Sequence, residues 1–540
     1  MVNENSSPQF SAADNQPDHH AEFGQWSTLQ AHLLDLSQPL HLSQDNDGNI
    51  FLINRGDLTE HGHKKAAFAP ALPINALGDN TFLSTHHCSA ALYAGSMANG
   101  ISSPEMVIAM GKHGLLGSYG SGGVAPMEVG TAIQKIQSSL PGGPYAVNLL
   151  NSPFEPGLED QMVDLFIKHQ VHTMEASAYL AITRGLVRYR AQGLNLSPDG
   201  KIVIHNRIIA KISRKEIARH FMRPAPEKIL AELIQEGIIT QQQANMAAWV
   251  AMADDITVEA DSGGHTDNRP LLCLLPTMIA EREEIYQAFP HLRDRIRIGA
   301  AGGISTPESA LAALMAGAAY VVTGSVNQAC KETATSQKTR ELLAQADMAD
   351  VVMAPSADMF EMGAKVQVLK RGTMFAMRAS KLYEVYRANN SIEEISDKDR
   401  EQIEQKIFQR SFKEVWKDTV TFFEQRNPIQ ITRANQDPKL KMALIFRWYL
   451  GLSSRWAIRN EVGREMDYQI WCGPSMGSFN DWVRGSYLEE VENRSVVDVN
   501  LQILTGAAYL YRVRILEAQG IQLPQTLKSY RPTSALDKPY

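Results

Sequence analysis

The chain has 540 residues, 44% hydrophobic and 21% charged, with a formal net charge of −7. That is a folded chain with ample core, either one large domain with additions or several smaller ones. The negative charge argues against a nucleic-acid binder, and no apolar run reaches the ~20 residues of a membrane span. Cys88, Cys273, Cys330 and Cys472 are scattered, with no Cys-x-x-Cys pair. They fit reduced thiols better than a disulfide or zinc framework. The start MVNENSSPQF lacks the basic and apolar regions of a signal peptide, so a cytoplasmic location is expected.

Residues 1–22 are polar and rich in Ser, Asn, Asp and Pro, as a disordered tail would be. Residues 23–80 read as a small appendage. Within it, His41 to Asn54 alternates around Asp45-Asn46-Asp47-Gly48 and predicts a hairpin. His61-Gly62-His63 and His86-His87-Cys88 look like metal fragments, but neither has a second pair at ligand spacing, so no metal is assigned. Strand-like and helical stretches then alternate. Strands 1 to 8 are predicted at Ala90–Met97, Leu115–Tyr119, Tyr145–Leu150, Val171–Ala176, Arg207–Ile212, Ile256–Ala260, Ile296–Ala300 and Tyr320–Val322. Helices fall between them. The first opens at Ser102-Ser103-Pro104, and the last runs from Thr306 to Ala316 with Pro307 at its start, where a missing N–H costs nothing. Pro224–Met252 is an extra helical insertion between strands 5 and 6.

Eight such units over residues 81–330 match an α/β fold of the (β/α)8 TIM-barrel type, typically about 250 residues. A doubly wound sheet gives the same alternation and is the rival. Residues 331–540 read as a mainly helical C-terminal region. Trp416, Trp448, Trp456, Trp471 and Trp482 lie there, five of the seven tryptophans, so it is packed and not a tail.

Three places carry chemistry. Strand 7 ends in Ala300-Ala301-Gly302-Gly303-Ile304, and strand 8 in Thr323-Gly324-Ser325. Adjacent glycine turns at the last two strands match the phosphate site of a barrel, because glycine lets backbone approach an anion. The alternative is two ordinary βα turns. Strand 6 runs into Glu259-Ala260-Asp261-Ser262-Gly263-Gly264-His265-Thr266. A His there can exchange a proton near neutral pH, or simply cap the loop. Gly95, Ser96 and Met97 close strand 1, and Asn148 lies near the end of strand 3; small residues and an amide suit a flat heteroaromatic ring. Gly120-Ser121-Gly122-Gly123-Val124-Ala125 also fits the G-x-G-x-x-A dinucleotide pattern. The next strand offers Asn148 and Asn151 in place of the required acid, which weakens that reading.

At these residues the sequence resembles a known group. EADSGGHT is similar to the E-A-G-G-H motif of flavin-dependent nitronate monooxygenases and bacterial flavin-dependent enoyl reductases. The segments VEADSGGHTDNRPL, DMFEMGAKVQVLKRGTMFAMRASKLYEVYR and DYQIWCGPSMGSFNDWVRGSYLE resemble a narrower family, the trans-acting (PfaD-type) enoyl reductases of polyunsaturated fatty acid and polyketide synthases. The resemblance implies an FMN-containing barrel that reduces a 2-enoyl thioester on an acyl carrier protein with NADPH as co-substrate. By position it implies that Gly302, Gly303, Gly324 and Ser325 hold the FMN phosphate with help from Gly263 and Gly264. Gly95, Met97 and Asn148 would line the flavin, and His265 would be the active-site residue. Lys211 is given no role, because the insertion makes the alignment of strand 5 less secure. The rivals are a nitronate monooxygenase-type oxidase and a flavin-bound scaffold without turnover. A homodimer is left open. The basic residues between Gly363 and Arg387 are a candidate dock for an acidic carrier protein, with Phe375, Met377, Leu382 and Val385 as apolar anchors; a solvated helix face is the plainer reading.

Overall fold

The computed structural model describes residues 20–21, 26–45, 49–53, 65–152, 155 and 157–538. Eight parallel strands form a closed barrel: Leu92–Ala94, Leu116–Tyr119, Ala146–Leu150, Thr173–Ser177, Arg207–Ile212, Asp255–Glu259, Arg297–Ala301 and Val321–Thr323. Strand 8 pairs with strand 1, Val321 opposite Leu92. This closure decides against the doubly wound sheet, which would leave two edges. Each predicted strand overlaps an observed one. The helices start where capping chemistry allows: Ser103 accepts the Met106 N–H, and Thr306 and Ser309 form a capping box with Pro307 in the first turn.

The N-terminal end of the barrel is plugged. Helix Asn80–His86 lies across it, with Phe82 stacked on Tyr320 at 4.3 Å. Above the plug, Thr257 Oγ1 joins Tyr93 OH (3.1 Å) and Tyr320 OH (2.8 Å) inside the barrel. At the rim, Asp255 bonds Arg297 Nε (2.6 Å) and His86 Nε2 (2.8 Å), all buried. His86 is thus engaged by a structural carboxylate, while His61 and His63 lie outside the described residues. Burial works against the charge on Asp255, but Arg297 and then His86 outweigh it and hold its pKa at about 2.

Four features depart from the sequence reading. A hairpin, Leu194–Leu196 with Ile202–Ile204, precedes strand 5. A second, Val351–Pro355 with Lys365–Leu369, interrupts the region read as helical. Strand 8 is followed by one helical turn, Ser325–Gln328, and not by a full helix. The helix Val496–Ala518 instead packs against Pro307–Met315 and Pro104–Lys112, the helices after strands 7 and 1, and so occupies the eighth place of the barrel. Thr323 Oγ1 to Asn500 Oδ1 (2.6 Å) and Asn500 Nδ2 to Asn327 Oδ1 (2.9 Å) tie it to strand 8. The predicted barrel limits, 81–330, therefore leave out its last helix. The intervening chain hides it, because a helix buried on nearly every side has no amphipathic stripe to announce its partner.

The predicted hairpin is present as Leu40–Gln44 paired with Ile50–Ile53; its turn, 46–48, lies outside the described residues. Lys65–Ala69 and His20–Ala21 extend it to four strands, so order reaches into the stretch read as a tail. Arg512 of the last helix anchors this appendage by donating to the carbonyls of Leu33, Asp35 and Gln38 at 2.7–2.9 Å. Among the described residues no helix is long and apolar enough to cross a membrane.

Candidate active site

Parallel strands bring the turns after strands 6, 7 and 8 side by side at the C-terminal end of the barrel. Gly302 and Gly303 both have positive φ, +81° and +78°. They do different things. A Cβ on Gly302 would lie 2.7 Å from the Ala260 carbonyl carbon, so only glycine lets turn 7 pack on turn 6. A Cβ on Gly303 or on Gly324 would meet nothing within 4 Å. These two positions border open space at adjacent turns, with Ser325 beside them accepting a hydrogen bond from Gly473 N at 3.1 Å.

Gly263 and Gly264 have another task. A Cβ on Gly263 would sit 2.8 Å from Cys472 N. Gly264 N–H donates to Gln367 O at 2.9 Å, and Gln367 N–H returns to Gly264 O at 2.7 Å. The pair therefore docks the strand-6 turn against the second hairpin and the 471–473 segment. The N–H of Gly264 is engaged in this contact. Gln367 completes the clamp by donating to Asp261 Oδ1 and Ser262 O, both at 2.8 Å.

The clamp fixes His265, which is half exposed, with Nε2 3.2 Å from Asp358 Oδ1 in the loop of that hairpin. Burial of the ring opposes its charge, but the hydrogen bond and charge of Asp358, then Glu259, outweigh this and raise its pKa above the ordinary histidine value. His265 is thus biased toward the imidazolium. Asp358 was not legible in sequence, since it lies 93 residues away.

Across the mouth, Gly95 N–H bonds Thr323 O at 2.9 Å, and Met97 N–H bonds Ser102 Oγ at 2.9 Å. The Asn148 amide donates to Glu175 O (3.0 Å) and Ser177 Oγ (2.9 Å), which leaves Oδ1 unbonded among the described residues. Two residues given no role in the sequence analysis join this site. Glu175, fully buried on strand 4, accepts the Ser96 N–H through Oε2 (3.1 Å), while Oε1 has no hydrogen-bond partner. Lys211 Nζ lies 3.8 Å from that oxygen and 3.4 Å from Glu259 Oε1. Burial would neutralise Lys211, but Glu259 and Glu175 outweigh it and raise its pKa. The available signal was an acid inside the apolar run Thr173-Met174-Glu175-Ala176.

The remaining motifs resolve into packing. A Cβ on Gly120 would lie 1.8 Å from Met97 O, and one on Gly122 2.9 Å from Leu150 Cδ2, so the G-x-G pattern serves contacts among turns 1 to 3. In the basic run, Arg371 pairs with Asp350 (3.1 Å), Lys381 with Asp399 (2.8 Å), and Arg378 with buried Asp467. Phe375, Leu382 and Val385 are buried as anchors, but Met377 is exposed. Three of the six basic residues are thus paired, while Lys365, Lys370 and Arg387 are exposed and make no ion pair among the described residues.

A closed parallel barrel with open glycine turns after strands 7 and 8, a charged mouth and a histidine in the turn after strand 6 defines an α/β-barrel with a candidate ligand site at its C-terminal end. Residues 81–387, over half of the chain, match the family model described as nitronate monooxygenase, and residues 389–468 match the inserted helical domain of [acyl-carrier-protein] S-malonyltransferase. The chain belongs to the nitronate monooxygenase family, within which it is a flavin-dependent enoyl-reductase-like domain. The enoyl reductase domain of MlnA from the macrolactin biosynthesis cluster of Bacillus amyloliquefaciens superposes with a TM-score of 0.78 at 38% identity, covering 83% of this chain and 100% of that one. A polyunsaturated fatty acid synthase polypeptide of Thraustochytrium sp. is 48% identical over 94% of this chain and 34% of its own length. Polyketide biosynthesis protein PksE of Bacillus subtilis is 43% identical over 85% of this chain and 59% of its own length. The chain thus spans about a third of the Thraustochytrium relative and under two thirds of the Bacillus subtilis one.

Proposed function

We propose that this chain is an FMN-dependent enoyl reductase acting with NADPH on 2-enoyl thioesters carried by an acyl carrier protein, in polyunsaturated fatty acid or polyketide assembly in the cytoplasm. The observation that carries the cofactor assignment is the cradle: two glycines at adjacent turns whose missing side chains leave open space. Gly303, Gly324 and Ser325 would hold the phosphate, with Gly302 shaping the turn. Gly95, Met97 and Asn148 would line the ring system, and the unpaired Glu175 Oε1 suits a ring N–H. The chemistry that FMN held by these residues would supply is hydride transfer between NADPH and the β-carbon of the enoyl thioester.

His265 then supplies what that transfer leaves unmet. A hydride at the β-carbon places negative charge on the α-carbon and thioester oxygen. The imidazolium, whose charge Asp358 favours, would donate its proton to the α-carbon and be restored from solvent, to which it is half exposed. Lys211 adds a fixed positive charge to the mouth. The test is NADPH-dependent reduction of a crotonyl-carrier thioester by flavin-loaded protein, run beside oxygen uptake with a nitroalkane. Enoyl turnover without nitroalkane oxidation supports the reading. The reverse pattern makes the chain an oxidase, and turnover of neither substrate by flavin-loaded protein leaves a scaffold.

A further inference from the structure

The helix Pro438–Arg459 reaches over the mouth of the barrel: Asn99 Nδ2, in the turn after strand 1, donates to Ser454 Oγ at 3.0 Å. Asn99 N–H also bonds Gly122 O in the turn after strand 2 at 2.7 Å, so the two turns and the helix meet there. The next residue, Arg455, is half-buried, and among the described residues its guanidinium makes no ion pair and no hydrogen bond. Arg426 and Arg459 bring two further positive charges to it, against one acid, Glu128, in the first turn of the helix after strand 2. Burial and these like charges depress the Arg455 pKa. Arg426 stacks on Phe422 and is itself only 3.8 Å from Glu155, in the turn after strand 3.

Arg190, Arg297, Arg378 and Arg512 differ: the first three each face a carboxylate within the fold, and Arg512 donates to the carbonyls of Leu33, Asp35 and Gln38. A half-buried guanidinium beside like charges and without an acceptor is unfavourable until an anion arrives. Guanidinium forks match phosphate oxygens in geometry as well as charge. We infer that Arg455, with Arg426 and Arg459, forms a binding site for a phosphate ester at the mouth over strands 1 to 3, separate from the glycine cradle of strands 7 and 8. This rests on the proposed reaction, in which both reactants carry such a group: the pantetheine arm of the carrier and the pyridine nucleotide.

Calorimetry on flavin-loaded full-length protein separates the two sources. Binding of 4′-phosphopantetheine is compared with pantetheine, and binding of NADP+ with NAD+, for wild type, Arg455→Gln and the more exposed Arg426→Gln. Loss of a charge-assisted contact should weaken the phosphate-bearing member roughly 10- to 100-fold and leave its partner unchanged. Selective loss in the first pair assigns the site to the carrier arm, and in the second to the nucleotide. Unchanged affinity for both phosphate-bearing ligands in either folded variant, at an unchanged melting temperature, would overturn the site. Enoyl turnover by wild type is assayed separately, so a failure of the reaction is not mistaken for a failure of the site.

Discussion

The two ends of the barrel are built from the same residue types and behave oppositely. At the N-terminal end, the Asp255 carboxylate bonds both Arg297 and His86 in a buried set beneath a helical plug. At the C-terminal end, Glu175 keeps an unbonded oxygen, Lys211 sits at 3.4–3.8 Å from two carboxylates, and His265 is half exposed. The buried Asp255–Arg297 pair supports the fold, whereas charge left underpaired beside open backbone is available to a ligand. The contrast agrees with the general division of labour between the faces of such barrels.

That contrast can be broken from either end. The largest effect is expected at His265: His265→Ala should retain flavin and its melting temperature while enoyl reduction falls roughly 100- to 10,000-fold. Stopped-flow measurement of flavin reduction by NADPH should be unaffected, and a variant with wild-type turnover would return His265 to a loop role. At the other end, Asp255→Ala leaves Arg297 buried without its carboxylate and should lower stability by about 3–5 kcal/mol in urea titration. Turnover per folded molecule should hold. The same pair predicts acid sensitivity. Because the folded pKa of Asp255 lies near 2, below the ordinary 3.8, its contribution is present above pH 3.8 and is lost as pH falls toward 2.

Gly324→Asp adds a like charge at the cradle, where a side chain meets no protein atom. It should fold normally yet bind FMN at least tenfold more weakly, by roughly 1.4 kcal/mol or more, with Gly324→Ala intermediate. Full flavin retention by the Asp variant, read from absorbance after gel filtration, would remove Gly324 from the phosphate site. The smallest effect is expected from Asp358→Asn. The raised pKa of His265 means its charged form persists to higher pH and disappears as pH rises through that value. Without Asp358 the alkaline limb of the pH–rate profile should move to lower pH, with only a few-fold loss at the optimum. An unmoved limb would mean that His265 is not the titrating group.

The same contrast explains which residues could be found without coordinates. Local patterns carry what is set by neighbours in the chain: the strands, the Ser103 and Thr306 caps, the glycine turns after strands 7 and 8, and the His265 loop all depend on side chains within a few residues. Eight such units in a row fit a closed barrel and a doubly wound sheet alike, and the pairing of strand 8 with strand 1 is what decides between them. What sequence spacing could not decide was who meets whom over long separations. At Gly263, close approach to a ligand and close approach to the Cys472 backbone demand the same absent side chain, and only the structure shows the second. In the basic run from Lys365 to Arg387 the acids that pair with Arg371, Lys381 and Arg378, namely Asp350, Asp399 and Asp467, come from outside the run and could not be read from its spacing. Val496–Ala518 became the eighth barrel helix, and Asp358 the partner of His265, only once the chain had closed loops of more than 90 residues. Such contacts come from burial summed over many elements, which no local window of residues contains.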